Sequence, residues 1–286
     1  MAYGESLPGK RITEHELRRE MVRVGRLMWE RGYVAATDGN LSARLGPDRL
    51  LVTPSGLSKG FLSVDDLVVM RLDGKGASQS VHRGRGAEPS SEILMHLEVY
   101  RLRPDVRAVV HAHPPLAISF SIAGVSLARC VLPEVIVTLG GIPTAEYATP
   151  GTDEVPGSIR QAVQDCDAVL LAHHGSLTLG GTLWEAYLRL EKVEHTAQVT
   201  LAAQQLGGVK TLSPEAVQKL TDMRRELLQR QGRDLCQDCT VCLLGDSAQL
   251  PISLTPARAG VPDDEALVRL VAESVMNNLE GDVGRR

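Results

Sequence analysis

The sequence predicts an α/β sandwich whose sheet is mixed or antiparallel. Short apolar runs rich in β-branched residues recur at 50–53, 67–72, 106–111 and 168–172, as buried strands do. Segments with helical spacing of apolar residues lie between them, but the two do not alternate as clean βαβ units, so a fully parallel sheet is not expected. With 286 residues and 43% hydrophobic content, the chain can bury one large core, or one core plus an appendage. Aromatic content is only 3%, so that core must be built from Leu, Val, Ala and Ile.

The first helix is announced by Thr13 and Glu16, a capping box in which each side chain satisfies the other's backbone amide. Leu17, Met21, Val24, Leu27 and Met28 follow at helical spacing, and Gly32 suits the closing turn. Thr37 to Ser42 is turn-rich, and Pro54, Ser55 and Gly56 form a turn between two strands, Leu50–Thr53 and Leu67–Leu72. The stretch 74–86 is rich in Gly and Ser and reads as a mobile loop. Pro89 is expected at N1 of a helix that carries Glu92 in its first turn, runs to about Leu102 and stops before Pro104. Val106–His111 reads as a buried strand, Pro114 starts a helical segment, and Glu134–Thr138 is a candidate strand before a Gly140–Gly141 turn. The stretch 150–157 precedes a helix ending near Asp165, Ala168–Ala172 is a strand, and Thr182–Leu206 is a long helix. Beyond Gly208 a charged helix spans about Ser213 to Gln231. A Pro- and Gly-containing stretch then leads to an amphipathic segment, Asp264–Leu279.

The net charge of −4 argues against a nucleic-acid binder. No apolar run reaches membrane-spanning length, and residues 1–11 lack the apolar core of a signal peptide, so a cytoplasmic protein is expected. Of the 5 cysteines, Cys130 and Cys166 sit in apolar surroundings and read as buried thiols. Cys236, Cys239 and Cys242 are spaced three apart, but no fourth ligand lies nearby.

Chemistry concentrates in three short segments. His111 and His113 are two apart at a strand end, which puts both imidazoles on one side, able to chelate an ion or to hydrogen-bond within a loop. His173 and His174 follow a second strand and precede Gly175, which lets the backbone turn sharply; either could add a third nitrogen. Four of the 8 histidines lie in these two segments. Glu92 belongs to Pro89-Ser-Ser-Glu92, where a helix N-terminus with two hydroxyls, Ser90 and Ser91, suits an anion such as phosphate. Gly39, Asn40, Ser55 and Gly56 sit in turns that can add hydrogen bonds to it.

Thr37-Asp-Gly-Asn40, Thr53-Pro-Ser-Gly56, Pro89-Ser-Ser-Glu92, His111-Ala-His113, Tyr147-Ala-Thr-Pro-Gly151 and His174-Gly175, in this order, resemble the class II aldolase/adducin family, nearest in pattern to the L-fuculose-1-phosphate aldolases. The likeness covers roughly 13–206. It implies a three-layer α/β/α sandwich with a mixed, mainly antiparallel sheet over 1–210; past that core a helical segment and linker are expected over 211–261 and a C-terminal amphipathic helix over 262–286. It further implies that His111, His113 and His174 bind Zn²⁺, with Glu92 as general acid/base and as a ligand of the ion in the empty site. Gly39, Asn40, Ser55, Gly56, Ser90 and Ser91 would hold the substrate's phosphate.

The implied enzyme is a homotetramer with sites at subunit interfaces. It cleaves a deoxyketose 1-phosphate, of the fuculose or rhamnulose type, to dihydroxyacetone phosphate and lactaldehyde. Where the family aldolases carry a proton-donating Tyr shortly before the Gly-Gly pair, this chain offers Glu134 as its replacement. Glu rather than Asp at position 92 favours aldolase over the family's 4-epimerases. A sugar-phosphate dehydratase or decarboxylase and a non-catalytic adducin-like module are the alternatives. The segment 262–286 resembles encapsulation peptides, which implies a bacterial microcompartment shell as a partner; a helix docking on its own core is the other reading.

Overall fold

The computed structural model describes residues 12–74 and 88–233. The expectations for 75–87, for Cys236, Cys239 and Cys242, and for the C-terminal extension fall outside the described residues.

The chain forms α1 (Glu14–Glu30), β1 (Asn40–Arg44), β2 (Arg49–Val52), β3 (Val68–Arg71), α2 (Ile93–Leu102), β4 (Ala108–Ala112) and α3 (Pro115–Ile122). It continues through α4 (Pro133–Leu139), β5 (Thr144–Ala145), α5 (Glu154–Asp165), β6 (Ala168–Leu171), β7 (Gly175–Gly180), α6 (Leu183–Gln205) and α7 (Pro214–Arg230). The strands make one sheet in the order β3-β2-β1-β4-β7-β6-β5. Every adjacent pair is antiparallel except β5 with β6. The sandwich is therefore of the expected kind.

The alternation of strand side chains builds the layers. Ala108, Val110 and Ala112 of β4 pack with Leu41, Ala43 and Leu51 against α1 and α6. Val109 points the other way, into a cluster with Leu177 and Leu179 of β7 and with Met95, Val99, Val155 and Ile159 of α2 and α5. Met21, Val24 and Met28 of α1 are wholly buried, each contributing about 1.5–3 kcal/mol of hydrophobic stabilisation. The capping box at Thr13 and Glu16 is formed as expected. α7 packs on α4 through Val217 and Leu220, against Cys130 and Ile136.

Several local expectations are corrected. Asn40–Arg44 is strand, not turn. Gly175–Gly180 is a strand that the sequence reading left unassigned. Glu134–Thr138 lies in α4, not in a strand. Pro133 stands at its N1/N2 position, Gly140 closes it in the left-handed region, and Val135, Ile136 and Leu139 are buried. Tertiary packing there overrides the strand preference of a Val-Ile-Val run. α2 starts at Ile93, so Pro89 is not its N1 residue: Pro89 forms an isolated bridge with Pro54, and Glu92 is the N-cap.

A buried charge cluster fastens the end of the described chain. Asp167 is fully buried. Arg103, Arg189, Arg224 and Arg233 place guanidinium nitrogens 2.8–3.5 Å from its oxygens. Burial would raise its pKa, but the arginines prevail and hold it at about 2.

Candidate metal centre

The site lies where the ends of β1 and β4 meet the turn between β6 and β7. Register places Asn40 beside His111, and Leu177 on its other side. His113 follows one residue past the end of β4, on the same side as His111. The tight β6–β7 turn puts His173 in the left-handed region, at φ 58°, and presents His174. His173 itself is exposed and outside the cluster; its amide donates to Ser121 Oγ.

Gly175 is not the turning residue. It is needed because a Cβ there would lie 2.5 Å from the Ala112 carbonyl oxygen, 2.8 Å from His113 Cδ2 and 2.9 Å from His111 Cε1. Gly39 is required twice over. Its φ is +70°, and a Cβ would approach the His111 carbonyl oxygen to 2.8 Å.

Glu92, His111, His113 and His174 each offer one ligand atom, and these atoms all lie within 4.8 Å of one another. Glu92 Oε1 is 2.9 Å from His174 Nε2, and Oε2 is 3.3 Å from His111 Nε2. His111 Nε2 and His113 Nε2 are 3.0 Å apart. Tetrahedral bonds of 2.0–2.1 Å separate ligand atoms by roughly 3.3 Å, so the spacing fits a small divalent ion. His111 Nδ1 lies 3.0 Å from the Ser176 carbonyl oxygen. Donation to that oxygen leaves the Nε2 lone pair facing its partners. Asp38 Oδ2 stands 3.5 Å from His113 Nδ1, a carboxylate behind a second imidazole.

Electrostatics point the same way. Burial alone would raise the Glu92 pKa, but hydrogen bonds and charge from His111 and His174 overcome it and hold the carboxyl well below the usual range. Burial, followed by the neighbouring His111 and His174, pushes His113 down to about 4. A neutral His113 imidazole and an ionised Glu92 carboxylate are protonation states that suit a metal ligand.

Glu92 is held from behind. Asn40 Nδ2 donates to its Oε2 at 2.9 Å. One turn along α2, His96 Nδ1 lies 2.7 Å from Ser42 Oγ, which also meets Tyr100 Oη at 2.9 Å. His96 is fully buried and pushed down to about 3, first by burial, so it stays neutral.

A cavity of about 240 Å³ opens beside the cluster. Gly39, Ser55, Gly56, Ser90 and Ser91 line it, together with Glu92 and His113. Asn40 does not: it is 2% exposed and is spent on Glu92. Glu134 does not either; it is exposed in the first turn of α4 and absent from both the cluster and the cavity wall. Asp38 and Lys59, which the sequence reading did not single out, line the cavity as well. Asp38 sits inside the Thr37–Asn40 turn and could have been found as a carboxylate near the histidines; Lys59 gave no signal.

The model of the Class II Aldolase and Adducin N-terminal domain matches residues 19–201. The chain belongs to this family. A 3-oxo-tetronate 4-phosphate decarboxylase of Escherichia coli K12 is 34% identical over 191 residues, covering 65% of this chain and 87% of that protein. An L-fuculose phosphate aldolase of Methanococcus vannielii is 36% identical over 184 residues, covering 63% and 93%. Among solved structures, YgbL of Escherichia coli superposes with a TM-score of 0.66 at 30% identity, covering 73% of this chain and 99% of its own. Family and donor set together describe a metal-dependent lyase of the class II aldolase family. Among the described residues, no helix is long and apolar enough to cross a membrane.

Proposed function

We propose that this class II aldolase-family chain is a zinc-dependent aldolase. It cleaves a deoxyketose 1-phosphate, of the fuculose- or rhamnulose-1-phosphate type, to dihydroxyacetone phosphate and lactaldehyde. The observation that carries the reading is a three-imidazole, one-carboxylate cluster, two of whose members, Glu92 and His113, line a cavity that also presents hydroxyls, glycines, Asp38 and Lys59. His111, His113 and His174 hold the ion, with Glu92 completing the set until substrate arrives. Zn²⁺ bound there supplies Lewis-acid polarisation of the substrate's carbonyl and hydroxyl oxygens.

The chain's own groups do the rest. Ser55, Ser90 and Ser91, with the backbone at Gly39 and Gly56, bind the phosphate. Glu92 handles the proton on the dihydroxyacetone-phosphate carbon: it delivers that proton after C–C cleavage and removes it in the condensation direction. Asn40 keeps the carboxylate aimed. The second proton, lost from the hydroxyl on the carbon that becomes the aldehyde, needs another group. Glu134 can serve only by reaching the cavity of a second copy of the chain, as a homotetramer with interface sites would allow.

A second reading is decarboxylation of a 3-oxo sugar-acid phosphate, which the Escherichia coli relative favours. It uses the same ion and phosphate subsite and expels carbon dioxide instead of an aldehyde. One experiment separates the two: purified protein is given a panel of ketose 1-phosphates and 3-oxo-acid phosphates, and dihydroxyacetone phosphate and carbon dioxide are both measured. Release of dihydroxyacetone phosphate, abolished by a chelator and restored by Zn²⁺, supports the aldolase. Carbon dioxide alone supports the second reading. Neither product, together with no stoichiometric metal, would favour a non-catalytic adducin-like module. Glu92→Gln should lose at least a hundredfold in kcat while keeping its metal. Shell association through 262–286 is a separate proposal; deleting that segment should abolish shell binding and leave activity and assembly unchanged.

A further inference from the structure

Lys59 is 2% exposed, an unusual place for a lysine. It opens a short 3-10 turn, 59–61, and its Nζ donates to the carbonyl oxygens of Thr37, at 2.6 Å, and Leu57, at 2.7 Å. Thr37 belongs to the turn that carries Asp38 and Gly39, and Leu57 directly follows Ser55 and Gly56. The ammonium therefore ties together two loops that wall the cavity, and Lys59 lines that cavity itself. An ammonium has three donors. Among the described residues, the third finds no hydrogen-bond acceptor and no carboxylate within ion-pair distance. Burial draws the group down to about 8, offset by the charges of Asp38 and Glu92, so it remains mostly charged near neutral pH.

We propose that Lys59 is the cationic anchor of this cavity's anion subsite, directing its third N–H to an oxygen of a phosphomonoester dianion. The other lining groups assigned to the phosphate are neutral, while Asp38 and Glu92 bring negative charge to the same space. The buried ammonium offsets one of these two negative charges beside the neutral groups assigned to the phosphate, and so favours a phosphate dianion over an uncharged sugar. The inference rests on the reading that the substrate is phosphorylated, and it adds a residue that sets affinity.

The test uses the full-length, metal-loaded protein and two variants, Lys59→Met and Lys59→Arg, with inorganic phosphate as the probe. Lys59→Met should weaken phosphate binding by about tenfold or more, and should raise KM for a cleaved ketose phosphate similarly while kcat changes little. Lys59→Arg, which keeps the charge, should recover most of the loss. A lysine that merely clamps the loops would change thermal stability and leave phosphate affinity alone. A folded, metal-replete Lys59→Met protein with wild-type phosphate affinity would overturn the proposal.

Should Lys59→Met fail to fold, the wild-type protein still decides. The chain has only six lysines. With lysine Cε labelled, phosphate should shift the one resonance that is missing from the Lys59→Arg spectrum; if that resonance stays still, the proposal is wrong. Lys59-dependent phosphate binding without cleavage of any ketose phosphate would refute the aldolase reading and keep the anchor. Cleavage with Lys59-independent phosphate binding would do the reverse.

Discussion

Gly175→Ala tests whether the histidine cluster is as tightly built as its distances imply. The added Cβ would stand 2.5 Å from the Ala112 carbonyl oxygen, 2.8 Å from His113 Cδ2 and 2.9 Å from His111 Cε1. Ordinary carbon contacts begin near ~3.5 Å, so three neighbours must each retreat by roughly half an ångström to one ångström. Two of them are metal-ligand candidates, and the third is the backbone that joins those two. The φ at this position is not positive, so backbone strain does not contribute. Overpacking of this kind costs about 1–3 kcal/mol of stability, and misplacing the ligands should weaken metal binding by about 10–100-fold. Gly157→Ala is the control: it is an exposed helix-interior glycine, and an added Cβ there would meet nothing within 4 Å, so alanine should stabilise by up to about 1 kcal/mol. Competition for Zn²⁺ against a chelator of known affinity, with urea unfolding of the metal-free proteins, measures both terms. Wild-type metal affinity in a folded Gly175→Ala protein would refute the close packing on which the site's geometry depends.

Ser42→Ala should cost about 1–3 kcal/mol in denaturant unfolding, because it strips partners from the buried His96 Nδ1 and Tyr100 Oη. Asp167→Asn leaves four converging guanidiniums without their shared counter-charge and should cost about 3–5 kcal/mol; a loss below about 1 kcal/mol would show that water or another acid already compensates them. Acid stability should follow His96 in part. Its folded pKa is about 3 against about 6.5 in an unfolded chain, so the unfolded state binds the extra proton, and stability falls as pH drops from about 6.5 towards 3. Replacing His96 by Asn should flatten that part of the curve measured by urea titrations at stepped pH, and an unchanged slope would contradict its neutral burial.

The histidines and Glu92 were legible because chemistry fixes both residue type and spacing: two imidazoles at i and i+2 on an apolar strand share a side whatever surrounds them. β1 and β7 were harder to read, for a physical reason. A half-buried strand announces itself by apolar residues on its inner side, but β1 turns Asn40 and Ser42 towards α2, and both are buried among polar partners. β7 likewise buries Ser176 and Thr178, the latter donating to the Ala186 carbonyl oxygen at 2.9 Å. α4 was misread in the opposite direction: its Val-Ile-Val run carries strand propensity, but Pro133 and Gly140 bracket it and α7 covers it. Lys59 could not be found from sequence at all. Its burial depends on two carbonyl groups that only the fold brings to it.

The polar seam that hid β1 is also what aims the site. Residues i and i+4 of a helix are separated by about 6 Å along its axis, and residues i and i+2 of a strand by about 6.6 Å. Glu92, His96 and Tyr100 at one spacing can therefore meet Asn40, Ser42 and Arg44 at the other, rung for rung. They do so: Asn40 bonds Glu92, Ser42 bonds His96, and Arg44 bonds the Tyr100 carbonyl oxygen while lying 4.7 Å from its ring centroid. The mismatch is only about half an ångström per rung, small enough for side chains to absorb over three rungs. Two of these rungs carry no proposed chemistry. They fix the register of α2 against β1, and hence where its N-cap residue falls relative to His111, the strand neighbour of Asn40. Glu92 has no cap hydrogen bond of its own to hold it. Its position is set by α2's register on β1, and β1's neighbour β4 carries His111, so one framework places the acid beside the imidazole.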